Sequence, residues 1–261
     1  MIEEKLLACC RKLRLGKNLA ENAMSAQAET HPEYLLHLLE AEVRYREKQC
    51  SDRLIKEAGF YSIKTFDKFI ADDITFPSGV GIDDILTFDF VKEKRNLVMY
   101  GLNGTGKTFM STAIGVAACK AGIPVRFFRT AALVNRLAEA KTAGGLTAFM
   151  DKILKAEIIV LDEWGYVPYD QTGSRLLFEV ITESYERRSL ILNTNIDFSR
   201  WVTVLGDENL TAATLERLLH NCHLFLFPGK SIRLRESSIN NMYKDLSEYA
   251  ESVPHTVRRS V

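Results

Sequence analysis

Residues 96–108 read NLVMYGLNGTGKT, a short apolar run followed by G-x-x-x-x-G-K-T at Gly101, Leu102, Asn103, Gly104, Thr105, Gly106, Lys107 and Thr108. The run has the character of a buried strand, and FMSTAIGVAACKAG at 109–122 reads as the helix that leaves the loop. A glycine-rich turn between strand and helix suits phosphate. Gly104 and Gly106 let the backbone wrap closely with its N–H groups pointing inward. Lys107 supplies a charge to the β- and γ-phosphates, and Thr108 offers its hydroxyl to Mg²⁺. The helix adds its positive N-terminal dipole. The stretch therefore predicts an ATP–Mg²⁺ loop on an α/β sheet.

Downstream, IIVLDE at 158–163 is four apolar residues and then two acids. That pattern puts carboxylates at the C-terminal edge of a buried strand, where parallel α/β sheets bind ligands. Asp162 is expected to hold the Mg²⁺ shell and Glu163 to polarise the attacking water. Further β-rich runs stand at 124–130, 189–195 and 224–227. Helical stretches separate the first four runs, which predicts a central parallel sheet with helices on both faces. Asn195 closes the fourth run; it can hold the water or sense the γ-phosphate, or be a plain turn residue. Arg217, in the helix before the last strand, is either an exposed helix residue paired with Glu216 or Glu208, or an arginine finger reaching a neighbouring subunit's ATP. Arg233 and Arg235 carry the same ambiguity.

Upstream the pattern is helical. Residues 2–15 place Ile2, Leu6, Cys9 and Leu13 on one face, and 22–31 read as a loop. A second helix starts near Pro32, keeps Leu36, Leu39, Val43, Cys50 and Leu54 in register, and stops at Gly59. The Phe-rich stretch 60–90 reads as a docking linker. The expected division is a small all-helical N-terminal module at 1–75 and an ATPase domain at 76–261.

The 261 residues carry 34 Lys and Arg against 34 Asp and Glu, so only a local basic stripe, not a basic whole, can serve nucleic acid. Cys9, Cys10, Cys50, Cys119 and Cys222 show no CxxC pairing and read as free thiols in a reducing cytoplasm. The first residues lack a signal-peptide pattern, and no run of 18 apolar residues predicts a membrane span.

Longer stretches carry a resemblance. DEWGYVPYD (162–170), YERRSLILNTNIDFSRW (185–201), LTAATLERLLHNCH (210–223) and GKSIRLRES (229–237) are similar to the corresponding motifs of the IstB family, AAA+ ATPases that assist IstA-type transposases and are related to the helicase loader DnaC. CRKLRLGKNLAEN at 10–22 resembles that family's opening, so the likeness runs over most of the chain. It implies an AAA+ P-loop NTPase fold, with Asn195 as sensor I and Arg217 as a trans-acting finger. Leu102 and Asn103 depart from the family's Pro-Pro, which predicts a looser loop, and Asn193 stands where Thr is common. Gly-Lys-Ser-Ile at 229–232 replaces Gly-Glu-Ser-Tyr and leaves Arg233 without an assigned sensor role. The resemblance also implies double-stranded DNA, an IstA-type transposase and a homo-oligomer, ring or filament, as partners. Basic candidates for DNA lie at Lys5, Arg11, Lys12, Arg14 and Lys17, on the second helix, and at Arg136, Lys141, Lys152 and Lys155. The alternatives are a DnaC-like helicase loader and a nucleotide switch with little turnover; Glu163 argues against the latter.

Overall fold

The computed structural model describes residues 2–69, 73–229 and 231. It opens with helices α1 (Ile2–Lys12), α2 (Lys17–Ser25) and α3 (His31–Ala58). Thr30 caps α3 by accepting the Glu33 N–H, Pro32 sits in its first turn, and Gly59 ends it in the left-handed conformation (φ 80°). Two short helices, α4 (Ile82–Leu86) and α5 (Asp89–Lys92), lead into β1 (Asn96–Gly101) and α6 (Lys107–Lys120). There follow β2 (Val125–Arg129), α7 (Thr130–Thr142), α8 (Leu146–Leu154), β3 (Ile158–Trp164) and α9 (Gln171–Ser184). The chain continues through β4 (Ser189–Thr194), α10 (Val202–Leu205), α11 (Glu208–Leu219) and β5 (Cys222–Phe227).

The five strands form one sheet in the order β2-β3-β4-β1-β5, and every pair is parallel. Alternate residues feed opposite layers. Leu97, Met99, Ile158 and Val160 join α6 and the end of α3 on one face. Val98, Ile159 and Leu161 join α7, α9 and α11 on the other. All seven strand residues are essentially inaccessible, which is why the runs read as continuously apolar. Phe88 and Phe90 of the Phe-rich stretch are buried in the first layer, and Phe60, Phe66, Phe69 and Phe76 pack against it.

Two local expectations are corrected. The stretch 22–31 is not all loop, because α2 runs to Ser25; Leu19, Ala20, Glu21, Ala23 and Met24 are good helix formers, and Ala20 is buried. The face of α3 is also different. Leu54 is buried and Cys50 packs against the core as expected, but Leu36, Leu39 and Val43 are about half exposed, and Leu38, Glu42 and Ala58 are buried instead. A polar anchor accounts for the rotation. Glu42 accepts the Gly16 N–H at 2.9 and 3.1 Å and the Arg46 Nε–H at 2.7 Å, and Arg46 also donates to the Arg14 carbonyl. These bonds dock the α1–α2 turn on the Glu42 face and leave the leucine stripe open.

Candidate active site

The turn after β1 has the conformation phosphate binding needs. Gly101, Gly104 and Gly106 all have positive φ, at 155°, 78° and 104°. A Cβ at Gly101 would fall 2.3 Å from the Phe227 carbonyl oxygen, so only glycine fits beside β5. A Cβ at Gly104 would meet the Ser231 hydroxyl at 2.2 Å, so Ser231 stands over the loop. The loop is braced from within. The carbonyl of Leu102 accepts from Thr105 Oγ1 (2.8 Å) and Lys107 Nζ (2.6 Å), and Lys107 also donates to the Gly101 carbonyl at 2.7 Å. These bonds hold the loop without the two prolines. Leu102 and Asn103 are exposed at its tip.

Behind the loop lies a polar cluster in an otherwise apolar sheet. Asp162 is 3% exposed, and its Oδ1 accepts from Thr108 Oγ1 (3.0 Å) and from Asn193 Nδ2 (2.8 Å). Asn193 Nδ2 also reaches Ser111 Oγ at 2.7 Å, and Thr130 Oγ1 donates to the Asp162 carbonyl at 2.8 Å. Loop, acidic strand and fourth strand thus converge as expected, but the fourth strand's contact with Asp162 comes from Asn193. Sequence reading met Asn193 only as a departure from Thr. Its signal was a polar residue one position before the end of β4, in an otherwise apolar run.

Asn195 lies just past β4. The Tyr100–Thr194 register places it level with Gly101, at the mouth of the loop. Its side-chain oxygen is buried without a hydrogen-bond partner, as is that of Asn193. Buried polar atoms left unpaired are costly, and these two amide oxygens can accept a hydrogen bond from water or bind a cation.

Glu163 has φ 56°, a left-handed conformation rare for a non-glycine residue. The β3–β4 register shifts at this point, between Leu161 and Trp164. Asp162 and Trp164 are buried on either side, while Glu163 is half exposed and pairs with Arg129 Nε at 3.5 Å. The bulge turns the carboxylate off the ladder and toward solvent.

Arg217 is brought near none of these groups. Asn96, the first residue of β1, donates to the carbonyls of Arg217 and Leu218, which puts Arg217 at the opposite edge of the sheet. A six-residue strand is about 17 Å long, so its own loop is a strand's length away. Its guanidinium donates to the Ala213 carbonyl (2.9 Å) and covers the Phe178 ring (5.0 Å), rather than pairing with Glu216 or Glu208. Arg233 and Arg235 lie outside the described residues.

The residues present fit ATP and a divalent ion: a glycine cradle, a buried lysine, a hydroxyl bonded to a buried carboxylate, and two unpaired amide oxygens. A family profile described as IstB-like ATP binding protein matches residues 10–240. An insertion-sequence IS5376 ATP-binding protein of Geobacillus stearothermophilus is 34% identical over 247 residues, covering 91% of this chain and 97% of that one. The IS21 ATP-binding protein of Pseudomonas aeruginosa is 31% identical over 223 residues, covering 84% and 83%. Among solved structures, DnaI aligns with a TM-score of 0.50 at 17% identity, over 64% of this chain and 89% of that one. The replication initiator DnaA bound to AMPPCP and single-stranded DNA also aligns at 0.50 and 17%, over 71% of this chain and 55% of that one. These two likenesses are of fold, the AAA+ sheet with its flanking helices. With a profile match across most of its length and full-length relatives above 30% identity, the chain belongs to the IstB-like ATP-binding proteins.

Proposed function

We propose that the chain hydrolyses ATP and that turnover regulates a homo-oligomer, ring or filament, which binds double-stranded DNA, selects target sites and stimulates an IstA-type transposase. The observation that carries the ATPase reading is the convergence of Thr108 and Asn193 on buried Asp162, with Glu163 bulged out beside them. In this reading Gly101–Thr108 hold the phosphates and Thr108 and Asp162 hold Mg²⁺. The ion, when bound, screens the phosphate charge and polarises the transferring group. Glu163 takes a proton from the attacking water, and Asn195 orients that water or the γ-phosphate. The names of the full-length relatives place them in insertion sequences, which favours a transposition helper over a DnaC-like loader.

Residues 1–75 are the partner-contacting module in this proposal, and 76–261 the ATPase part. The last turns of α3, Leu54 and Ala58, are packed into the ATPase core, so the module has a rigid path to the sheet. Among the described residues no helix is long and apolar enough to cross a membrane.

Lys107→Ala is the direct test of the loop. It removes a charge whose hydrogen bonds to phosphate are worth about 1.5–3 kcal/mol, so ATP affinity should fall about 10- to 100-fold in a fluorescent-nucleotide titration. Affinity within about twofold of wild type, a difference under ~0.5 kcal/mol, would remove the loop from the nucleotide site.

DNA binding should be tolerant of sequence and steep in salt, because the basic candidates suit phosphates and no base-reading motif is evident. Fluorescence anisotropy of unrelated duplexes should give similar affinities that fall together as salt rises. An affinity that stays flat between low and moderate salt would contradict a phosphate-led contact.

A further inference from the structure

Arg217 differs from the arginines that stand just before β1 and β4. Arg95 pairs with Glu93 at 3.1 Å, and Arg187 pairs with Glu183 at 3.0 Å. Arg188 gives its N–H groups to the carbonyls of Leu154 (2.7 Å) and Glu183 (2.8 Å). Arg217 forms no ion pair among the described residues, although Glu216 adjoins it and Glu208 opens the same helix. Among these residues its guanidinium makes one hydrogen bond, from Nη1 to the Ala213 carbonyl one turn back on α11. Most of its N–H edges are left open.

A long side chain with so few partners ordinarily samples many rotamers. Here a second helix restrains it. The ring of Phe178, on α9, lies against the guanidinium, 5.0 Å from centroid to central carbon, and both side chains are half-buried. Stacking fixes the plane of a guanidinium and leaves its N–H edges directed outward, the geometry that suits phosphate oxygens. The backbone underneath is held as well. Asn96 Nδ2 donates to the carbonyls of Leu218 (3.0 Å) and Arg217 (3.4 Å), two groups that a helix end leaves without partners. Asn96 Oδ1 accepts the Leu190 N–H at 2.9 Å, so this buried side chain ties the end of α11 to β1 and β4 together.

We infer that Phe178 is a positioning residue for Arg217. Its ring keeps the open guanidinium in one orientation for phosphate across a junction between subunits, while Asn96 fixes the helix end that carries it. The inference rests on the reading of Arg217 as a trans-acting finger. Without the ring the guanidinium divides its time among rotamers, and turnover falls with the fraction correctly held. A partly desolvated cation–ring contact changes that fraction by a factor of about 2 to 30.

The test is phosphate release by the full chain at saturating ATP with duplex DNA present. Phe178→Leu removes the ring and keeps an apolar side chain. It should bind ATP like wild type in a fluorescent-nucleotide titration, because the loop is untouched, and release phosphate about tenfold more slowly. Phe178→Tyr keeps the ring face and should stay within about twofold of wild type. Phe178→Met is a second ringless variant, read in place of Phe178→Leu if that one does not melt cooperatively. Mixing gives a readout that a merely structural role leaves unmoved. Phe178→Leu subunits keep the loop and Lys107→Ala subunits keep the held finger, so their mixed oligomers should release phosphate faster than either parent. Mixed with Arg217→Ala, Phe178→Leu should gain nothing, because neither subunit supplies a well-held finger. Wild-type turnover in the ringless variant, an equal defect in Phe178→Tyr, or no difference between the two mixtures overturns the inference. So does loss of the fold in both ringless variants, which would make Phe178 a core residue. Wild-type turnover by Arg217→Ala is a different failure, that of the finger reading itself.

Discussion

Arg217→Ala is expected to slow ATP hydrolysis by about 10³-fold or more, the range of known arginine fingers, while ATP affinity stays near wild type. The expectation starts from where the residue cannot act. Arg217 sits at the edge of the sheet where β1 begins, and the phosphate loop lies where β1 ends. It cannot meet its own subunit's phosphates, whose ground-state binding rests on Lys107. In the proposed oligomer, its one route to a phosphate is across a junction, onto charge developing at a neighbour's transferring phosphoryl group. Its present contacts, the Ala213 carbonyl and the face of Phe178, hold the guanidinium in a fixed place on α11. Mixing separates this role from a merely structural one. Arg217→Ala subunits lack the finger and Lys107→Ala subunits lack the loop's charge, but a junction that joins an intact loop to an intact finger is complete. Mixed oligomers should regain activity, measured as phosphate release, with co-assembly checked by sedimentation. No rescue in confirmed mixed oligomers would leave Arg217 as a helix residue that packs on Phe178.

Glu163→Gln is expected to bind ATP normally and to lose turnover by about 10²- to 10⁴-fold, the usual worth of a general base. The amide keeps the size of the side chain and can still accept a hydrogen bond, but it cannot take a proton. The backbone at this position is left-handed and bulged, and glutamine tolerates that conformation about as well as glutamate does, so the substitution tests chemistry more than fold. The ATP-locked protein should then stay on DNA longer, seen as slower dissociation after a salt jump. Turnover within about threefold of wild type, a barrier change under ~1 kcal/mol, would exclude Glu163 as the base.

The parts of the site that were readable in advance share one property: each is a local pattern whose meaning does not depend on distant neighbours. The Gly101–Thr108 loop joins a strand to a helix and can hardly fold otherwise once three positive-φ glycines precede the lysine that opens the helix. Asp162 at the end of an apolar run had to emerge at a sheet edge. The role of Asn193 was not local in this sense. Its bond to Asp162 exists because β4 lies beside β3 in that register, and strand order across a sheet is decided by crossovers rather than by any one segment. The same holds for Arg129. As a strand-terminal arginine it has no marked meaning until the Asp162 register places it beside bulged Glu163.

The sequence by itself determined the five strands, the glycine turn after β1 and the acidic end of β3, because hydrophobic period, glycine placement and strand-terminal acids act over a few residues. It also determined that the sheet would be parallel and covered on both faces. Only the tertiary structure decided which face of α3 is covered. Two apolar stripes compete there, and the bond from Gly16 to Glu42, across 26 residues of chain and braced by Arg46, selects one of them. Only the tertiary structure, likewise, placed Asn193 against Asp162 and Arg129 against Glu163. Such pairings are set by the packing of whole layers, whose energy is summed over many contacts and is written in no single stretch of residues.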